Sequence, residues 1–74
     1  MSFQKPAREE LENRFMHHAP KGDQAERYAA NRKAILEAAL TCVGLTPMCK
    51  EQTIAINKLD EALFLFNAAI ARNE

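Results

Sequence analysis

The chain has 74 residues, ten basic and ten acidic side chains, and a formal charge of zero. That length allows one domain, 1–74, and that charge balance argues against duplex DNA, RNA or an anionic membrane surface as the main partner, because those reward cationic excess. No apolar run approaches the roughly 18 to 20 residues of a membrane span, and the opening fifteen residues are charged and interrupted by Pro6, unlike a signal peptide, so the expected location is the cytoplasm.

In chain order, 5–15 carries good helix formers behind Pro6 at a first-turn position and reads as a short N-terminal helix. The following residues, His17-His18-Ala19-Pro20-Lys21-Gly22, form a loop: Pro20 restricts its predecessor and Gly22 permits positive φ. Asp23 then stands at an N-cap position with Glu26 three residues on, a capping-box pattern that opens a long helix over 23–44. Tyr28, Ile35, Leu36, Ala39, Cys42 and Val43 recur along it at helical spacing, and Gly44 suits its end.

Thr46 and Pro47 read as the N-cap and first turn of the next helix, 47–73, and so short a link makes the two long helices antiparallel neighbours. Gln52, Ile56, Leu59, Leu63, Phe66 and Ile70 alternate steps of four and three, the seam expected to pack on the first long helix. The predicted fold is all-α, a short helix 1–22 with its loop followed by a long helical hairpin.

Ile54, Phe64 and Leu65 fall off that seam, because successive helical residues turn by about 100° around the axis. One partner helix cannot cover them, and leaving each in water forgoes on the order of 1.5 to 3 kcal/mol. Chains below about 70 to 80 residues usually need a staple beyond their core. Two cysteines, Cys42 and Cys49, make a poor disulfide framework and read as reduced core or turn residues. With His17 and His18 they also lack metal-ligand spacing, so no metal or cofactor is expected. Self-association is the staple that remains, and a homo-oligomer is predicted.

Catalysis finds no constellation here. The helix-borne carboxylates alternate with lysines, as Lys58 and Glu61 do one turn apart, and read as solvated pairs. Cys42 falls on the apolar side of its helix, serine occurs once, at Ser2, and no nucleophile, base and oxyanion set assembles, so no enzymatic activity is expected. The loop is the more informative feature: His17, His18 and Lys21, with Phe15 beside them, bring flat rings and cationic donors together on exposed backbone, the materials that stack bases and hold phosphates. An ordinary loop or a packing cap would account for the same residues. Hairpin geometry returns Arg72 beside Pro20, joining this cluster, although a cation there also complements the helix C-terminus. Arg32 lies about 14 Å along the helix from Asp23, so it meets the loop most easily if the loop comes from a neighbouring copy.

Arg14-Phe15, His18, Pro20-Lys21-Gly22-Asp23-Gln24, Arg27-Tyr28 and Arg32, then Glu51, Ala55, Lys58-Leu59-Asp60-Glu61-Ala62 and Asn67-Ala68-Ala69-Ile70-Ala71-Arg72-Asn73, resemble the phage anti-CBASS sponge proteins, whose hairpin domain is shared with anti-Thoeris sponges. The resemblance covers 14–73. It implies a homohexamer that sequesters cyclic di- and possibly trinucleotide signals such as cyclic GMP-AMP, without cleaving them, in the cytoplasm of an infected bacterium. By that likeness His17 stands where a ring stacks on a base and Arg32 where a cation reaches phosphate, while His18 and Arg72 match a second pocket; Lys21 and Tyr28 complete the expected ligand-binding set. A tyrosine is the family's expected residue at position 17, and Cys49-Lys50 stands where a Ser-Arg pair is expected. The alternative is a structural or adaptor bundle that binds a protein partner and has no need of rings and cations converging at one end.

Overall fold

The structure, a computed structural model, describes residues 7–74. Among these are three helices and no strand: α1 (Arg8–Phe15), α2 (Gln24–Leu45) and α3 (Lys50–Asn73). The expected Lys5 and Pro6 of the N-terminal helix lie outside the described residues. Charge order suits α1: Glu9 and Glu10 occupy its first turn and Arg14 its last, with ion pairs one turn apart at Arg8–Glu12 (2.7 Å) and Arg14–Glu10 (2.6 Å).

The strap 16–23 leads into α2 through Gly22, which sits at φ +59, in the left-handed region that glycine adopts without strain. Asp23 holds the N-cap position, but the capping box read from Asp23 and Glu26 does not form. Its backbone is at φ −90, ψ 10 instead of the extended geometry a capping side chain needs, and its Oδ1 accepts from Arg27 Nε at 3.2 Å. A charge-assisted bond one turn away takes the carboxylate that would otherwise have capped the helix.

At the other end the expected boundaries also move. Gly44 does not stop α2, which continues to Leu45. The stop is made by Thr46: Pro47 disfavours helical backbone in its predecessor, Thr46 is extended at φ −128, ψ 151, and its Oγ1 donates to Cys42 O at 2.8 Å. Thr46 is therefore a C-cap and not the N-cap of the next helix. Pro47 and Met48 span the turn, Cys49 takes the N-cap position without a side-chain capping bond, and α3 begins at Lys50. Gln52 closes the hinge, donating to Thr46 Oγ1 at 2.9 Å and reaching the Thr46 and Val43 carbonyls at 3.3 and 3.4 Å.

The two long helices pack antiparallel along Tyr28, Asn31, Ile35 and Ala39 of α2 and Gln52, Leu59, Leu63, Asn67 and Ile70 of α3, all partly shielded. Phe66, expected in this seam, is 58% exposed, and Ile56 is exposed at the rim of a hinge cavity. Asn67 takes the place of Phe66, its Oδ1 accepting from Asn31 Nδ2 at 3.0 Å. Alanine at either asparagine leaves one half-shielded amide without its partner, and is expected to cost about 1 kcal/mol and several degrees of melting temperature, whereas leucine at both positions should be nearly neutral. Thermal denaturation of the two single variants and the double variant checks this.

The seam does not make an interior. No apolar residue among those described is buried; the one buried side chain is Gln24, 4% exposed. The radius of gyration is 16.4 Å, against about 11 Å for a compact chain of this length. The accessible surface is 6456 Å², against roughly 4600 Å² for a compact monomer of this mass. The molecule is a slab of 46 × 40 × 15 Å whose faces carry Leu36 and Leu40 on α2 and Ile54, Phe64, Leu65 and Phe66 on α3, all exposed.

Candidate functional site

The open end of the hairpin holds a cleft of about 410 Å³ between the end of α3, the start of α2 and the strap. One stripe of α3 forms its floor. Phe64, Ala68 and Arg72 follow at steps of four and therefore share a face, with Asn67 and Ala71 beside them. The alanines stand between a ring at one end and a guanidinium at the other, and their small side chains leave room between the two. Tyr28 supplies the α2 wall, and Met16, His17 and His18 of the strap, with Arg14 of α1, supply the rim.

Hydrogen bonds fix the strap where α1 ends. His18 Nε2 lies 2.7 Å from Asn13 O; a carbonyl only accepts, so Nε2 carries the proton and donates. Asn13 Nδ2 donates to Arg72 O and Arg72 Nη2 to Arg14 O, both at 3.4 Å, so the final turn of α3 grips the last turn of α1. Arg72 forms no ion pair with a carboxylate among the described residues, whereas Arg14 is paired with Glu10. The cleft thus combines aromatic faces with a cation whose charge is not already neutralised.

A second polar group lies where α2 begins. Arg27 donates to both carboxylate oxygens of Glu74, through Nη1 at 2.8 Å and through Nη2, and to Asp23 through Nε. The Arg27 hydrogen bond holds the Glu74 carboxyl below the usual carboxylate range against an opposing desolvation; Gln24 and the charge of Lys21 help, and Arg27 is pushed up in turn, chiefly by its bond to Glu74.

Of the residues expected to bind ligand, the structure brings His17, His18, Tyr28 and Arg72 together in one cleft. It does not bring Lys21 or Arg32 into that lining. Lys21 is exposed, contributes its backbone N–H to Gln24 Oε1 at 3.1 Å, and places its charge near Glu74 and not in the cleft lining. Arg32 is exposed one helical turn beyond Tyr28 towards the hinge. Phe64 and Asn67 were not anticipated as site residues. Phe64 had been read only as surplus apolar surface, and Asn67 only as part of a family-like run; the step-of-four spacing from Phe64 through Ala68 to Arg72 was the available signal. Among the described residues no group of three or more His, Cys, Asp or Glu side chains is placed to hold a metal ion.

A smaller cavity of about 270 Å³ opens at the hinge, lined chiefly by apolar groups including Val43, Ile56 and Leu59. Cys42 and Cys49 also line it as free thiols. Both are exposed, so Cys42 is not the core residue its position on the helix suggested; α3 leaves this end of the seam uncovered.

No curated relative and no solved structure matches the chain. A family model described as the Acb2/Tad1 hairpin domain matches residues 7–71, which takes in all three helices except the last two residues of α3, and with them every residue of the cleft but Arg72. The chain belongs to the Acb2/Tad1 hairpin family of anti-CBASS and anti-Thoeris sponges, and with it goes the role of a sponge for cyclic oligonucleotides.

Proposed function

We propose that this protein binds cyclic di- and trinucleotide second messengers, cyclic GMP-AMP among them, and holds them uncleaved in the cytoplasm of an infected bacterium, so that CBASS effectors are never switched on. The observation that carries the reading is the convergence of His17, His18, Tyr28 and Phe64 on one cleft with Arg72 at its end. Base stacking on such rings contributes about 1 to 3 kcal/mol per base, and a guanidinium fork matches a phosphate with charge-assisted hydrogen bonds. Binding and not turnover is the proposed activity.

The working unit is a homo-oligomer, a hexamer by family likeness, and two features support association. The exposed leucines and phenylalanines of α2 and α3 need covering. Arg32 is exposed and outside the cleft of its own chain, and in this reading it serves a site completed by a neighbouring copy, as a ligand with two phosphates and two bases would suit a symmetric pair of chains.

Calorimetric titration with cyclic GMP-AMP isomers and cyclic tri-adenylate, followed by chromatography of the recovered ligand, tests the proposal. Saturable heat and intact ligand are expected, with affinity falling as salt rises because phosphate contacts are screened. Absence of heat and of any thermal shift with every ligand would leave the adaptor bundle as the better reading; a cleaved ligand would make the protein an enzyme.

A further inference from the structure

The most shielded side chain of the described protein is polar, and it lies next to the cleft instead of inside it. Gln24, 4% exposed, accepts from the Lys21 backbone N–H at 3.1 Å with Oε1 and donates to Glu74 Oε1 at 3.4 Å with Nε2. One amide therefore ties the turn that ends the strap to the residue that follows α3. Arg27 bonds both oxygens of the same Glu74 carboxylate and also Asp23, the residue just before α2. Five hydrogen bonds thus converge where the start of α2 meets the end of α3.

The strap is held at its opposite end as well, through His18 to Asn13 O and through Asn13 and Arg14 to Arg72. Both anchorages reach the end of α3, and His17 and His18 lie on the strap they hold, His18 being itself part of the second. Without the first anchorage, rings and cation would sit on segments joined at one end only, and each would have to be ordered when ligand arrives.

We infer that Glu74, Gln24 and Arg27 form a latch that positions the strap, and with it the rings of His17 and His18, opposite Arg72 before ligand binds. They are positioning residues: none of the three lines the cleft. The inference rests on reading the cleft as the ligand site, and the test separates the two. Arg27 is spent on internal carboxylates and is not a phosphate ligand, so a reversed pair can in part take its place.

The experiment uses the full chain with Glu74→Gln, Gln24→Ala, Arg27→Glu, and the double reversal Arg27→Glu with Glu74→Arg. Two readouts are taken: calorimetric affinity for cyclic tri-adenylate and cyclic GMP-AMP, and amide hydrogen exchange of 17–22 in the ligand-free protein, with the hinge 43–52 as internal reference. Glu74→Gln and Gln24→Ala should each weaken affinity about tenfold and speed exchange in the strap while leaving the hinge unchanged. The double reversal restores the ion pair between 27 and 74 but loses the Gln24 bond and sets a carboxylate beside Asp23, so both readouts should recover only in part, to a smaller defect than in Arg27→Glu alone. Strap exchange unchanged in both Glu74→Gln and Gln24→Ala overturns the latch, as does faster exchange with undiminished affinity, or a reversed pair no better than Arg27→Glu alone. If the unaltered protein binds neither ligand while strap exchange still responds, the sequestration reading falls and the latch stands on exchange alone. Gln24→Ala alters a buried group, so Glu74→Gln, at an exposed position, decides the matter should the former not fold.

Discussion

Replacing Arg72 by alanine is expected to cut affinity for a cyclic trinucleotide by about a hundredfold. Two losses combine. The guanidinium has no carboxylate partner among the described residues, and charge-assisted bonds to phosphate contribute about 1.5 to 3 kcal/mol. It also donates to Arg14 O at 3.4 Å, so its removal loosens the turn whose carbonyl anchors His18. Lysine at 72 should lie between the two, because it restores a charge without the planar fork. For a cyclic dinucleotide, whose phosphate contact we propose for Arg32, Arg32→Ala should have the larger effect. Calorimetry at one fixed salt concentration, with sedimentation to show that assembly is intact, reads both. Undiminished binding of every ligand by the Arg72 variant would remove the cleft from the proposal.

The second large effect concerns assembly. Leu40 is 65% exposed on α2 and Leu65 56% exposed on α3, and neither lines the cleft. Glutamate at both should convert the proposed oligomer to smaller species, since each lost apolar contact forgoes on the order of 1.5 to 3 kcal/mol and a charge must also be desolvated at the interface. Melting of the unaltered protein should rise with protein concentration, as mass action requires of linked folding and association, and that dependence should vanish in the double variant. Sedimentation and circular dichroism over a hundredfold range of dilution give the answer. An unaltered protein that sediments at 8.3 kDa and melts at one temperature throughout would end the oligomer proposal.

Helix type and order were legible because apolar spacing and punctuation agree: Pro20 with Gly22, and Thr46 with Pro47, separate three periodic segments, and the structure has three helices there. Boundaries were less so, since each depended on a competition between nearby groups. Asp23 could cap or pair with Arg27, and it pairs. Gly44 could end a helix but does not have to, and the restriction from Pro47 acted one residue later than Gly44. The seam shows a subtler ambiguity. From Leu63, a step of three reaches Phe66 and a step of four reaches Asn67, both fit helical geometry, and apolar preference chose the wrong one. What decided it was Asn31 across the hairpin, a partner that periodicity in one helix does not reveal.

The meeting of His17, His18 and Arg72 at the open end was legible from residue type and topology together, because the rings stand on the loop before α2 and a short hinge must return the end of one helix to the start of the other. Tyr28 entered through family likeness. Lys21 and Arg32 had the right chemistry, yet their placement depends on which way a turn and a helix face point, and both stand outside the cleft. The latch was invisible beforehand: Glu74 and Gln24 are 50 residues apart and unremarkable in type.

The methyl floor at Ala68 and Ala71 has a consequence for how such a protein can change. These side chains border the cleft and are not packed into a core, so enlarging one would take room from the guest and little from the host's stability. The repertoire of rings admitted could therefore drift by single codon changes, leaving hairpin, latch and cation as they are. For a sponge of cyclic oligonucleotides, adaptation of that kind is close at hand.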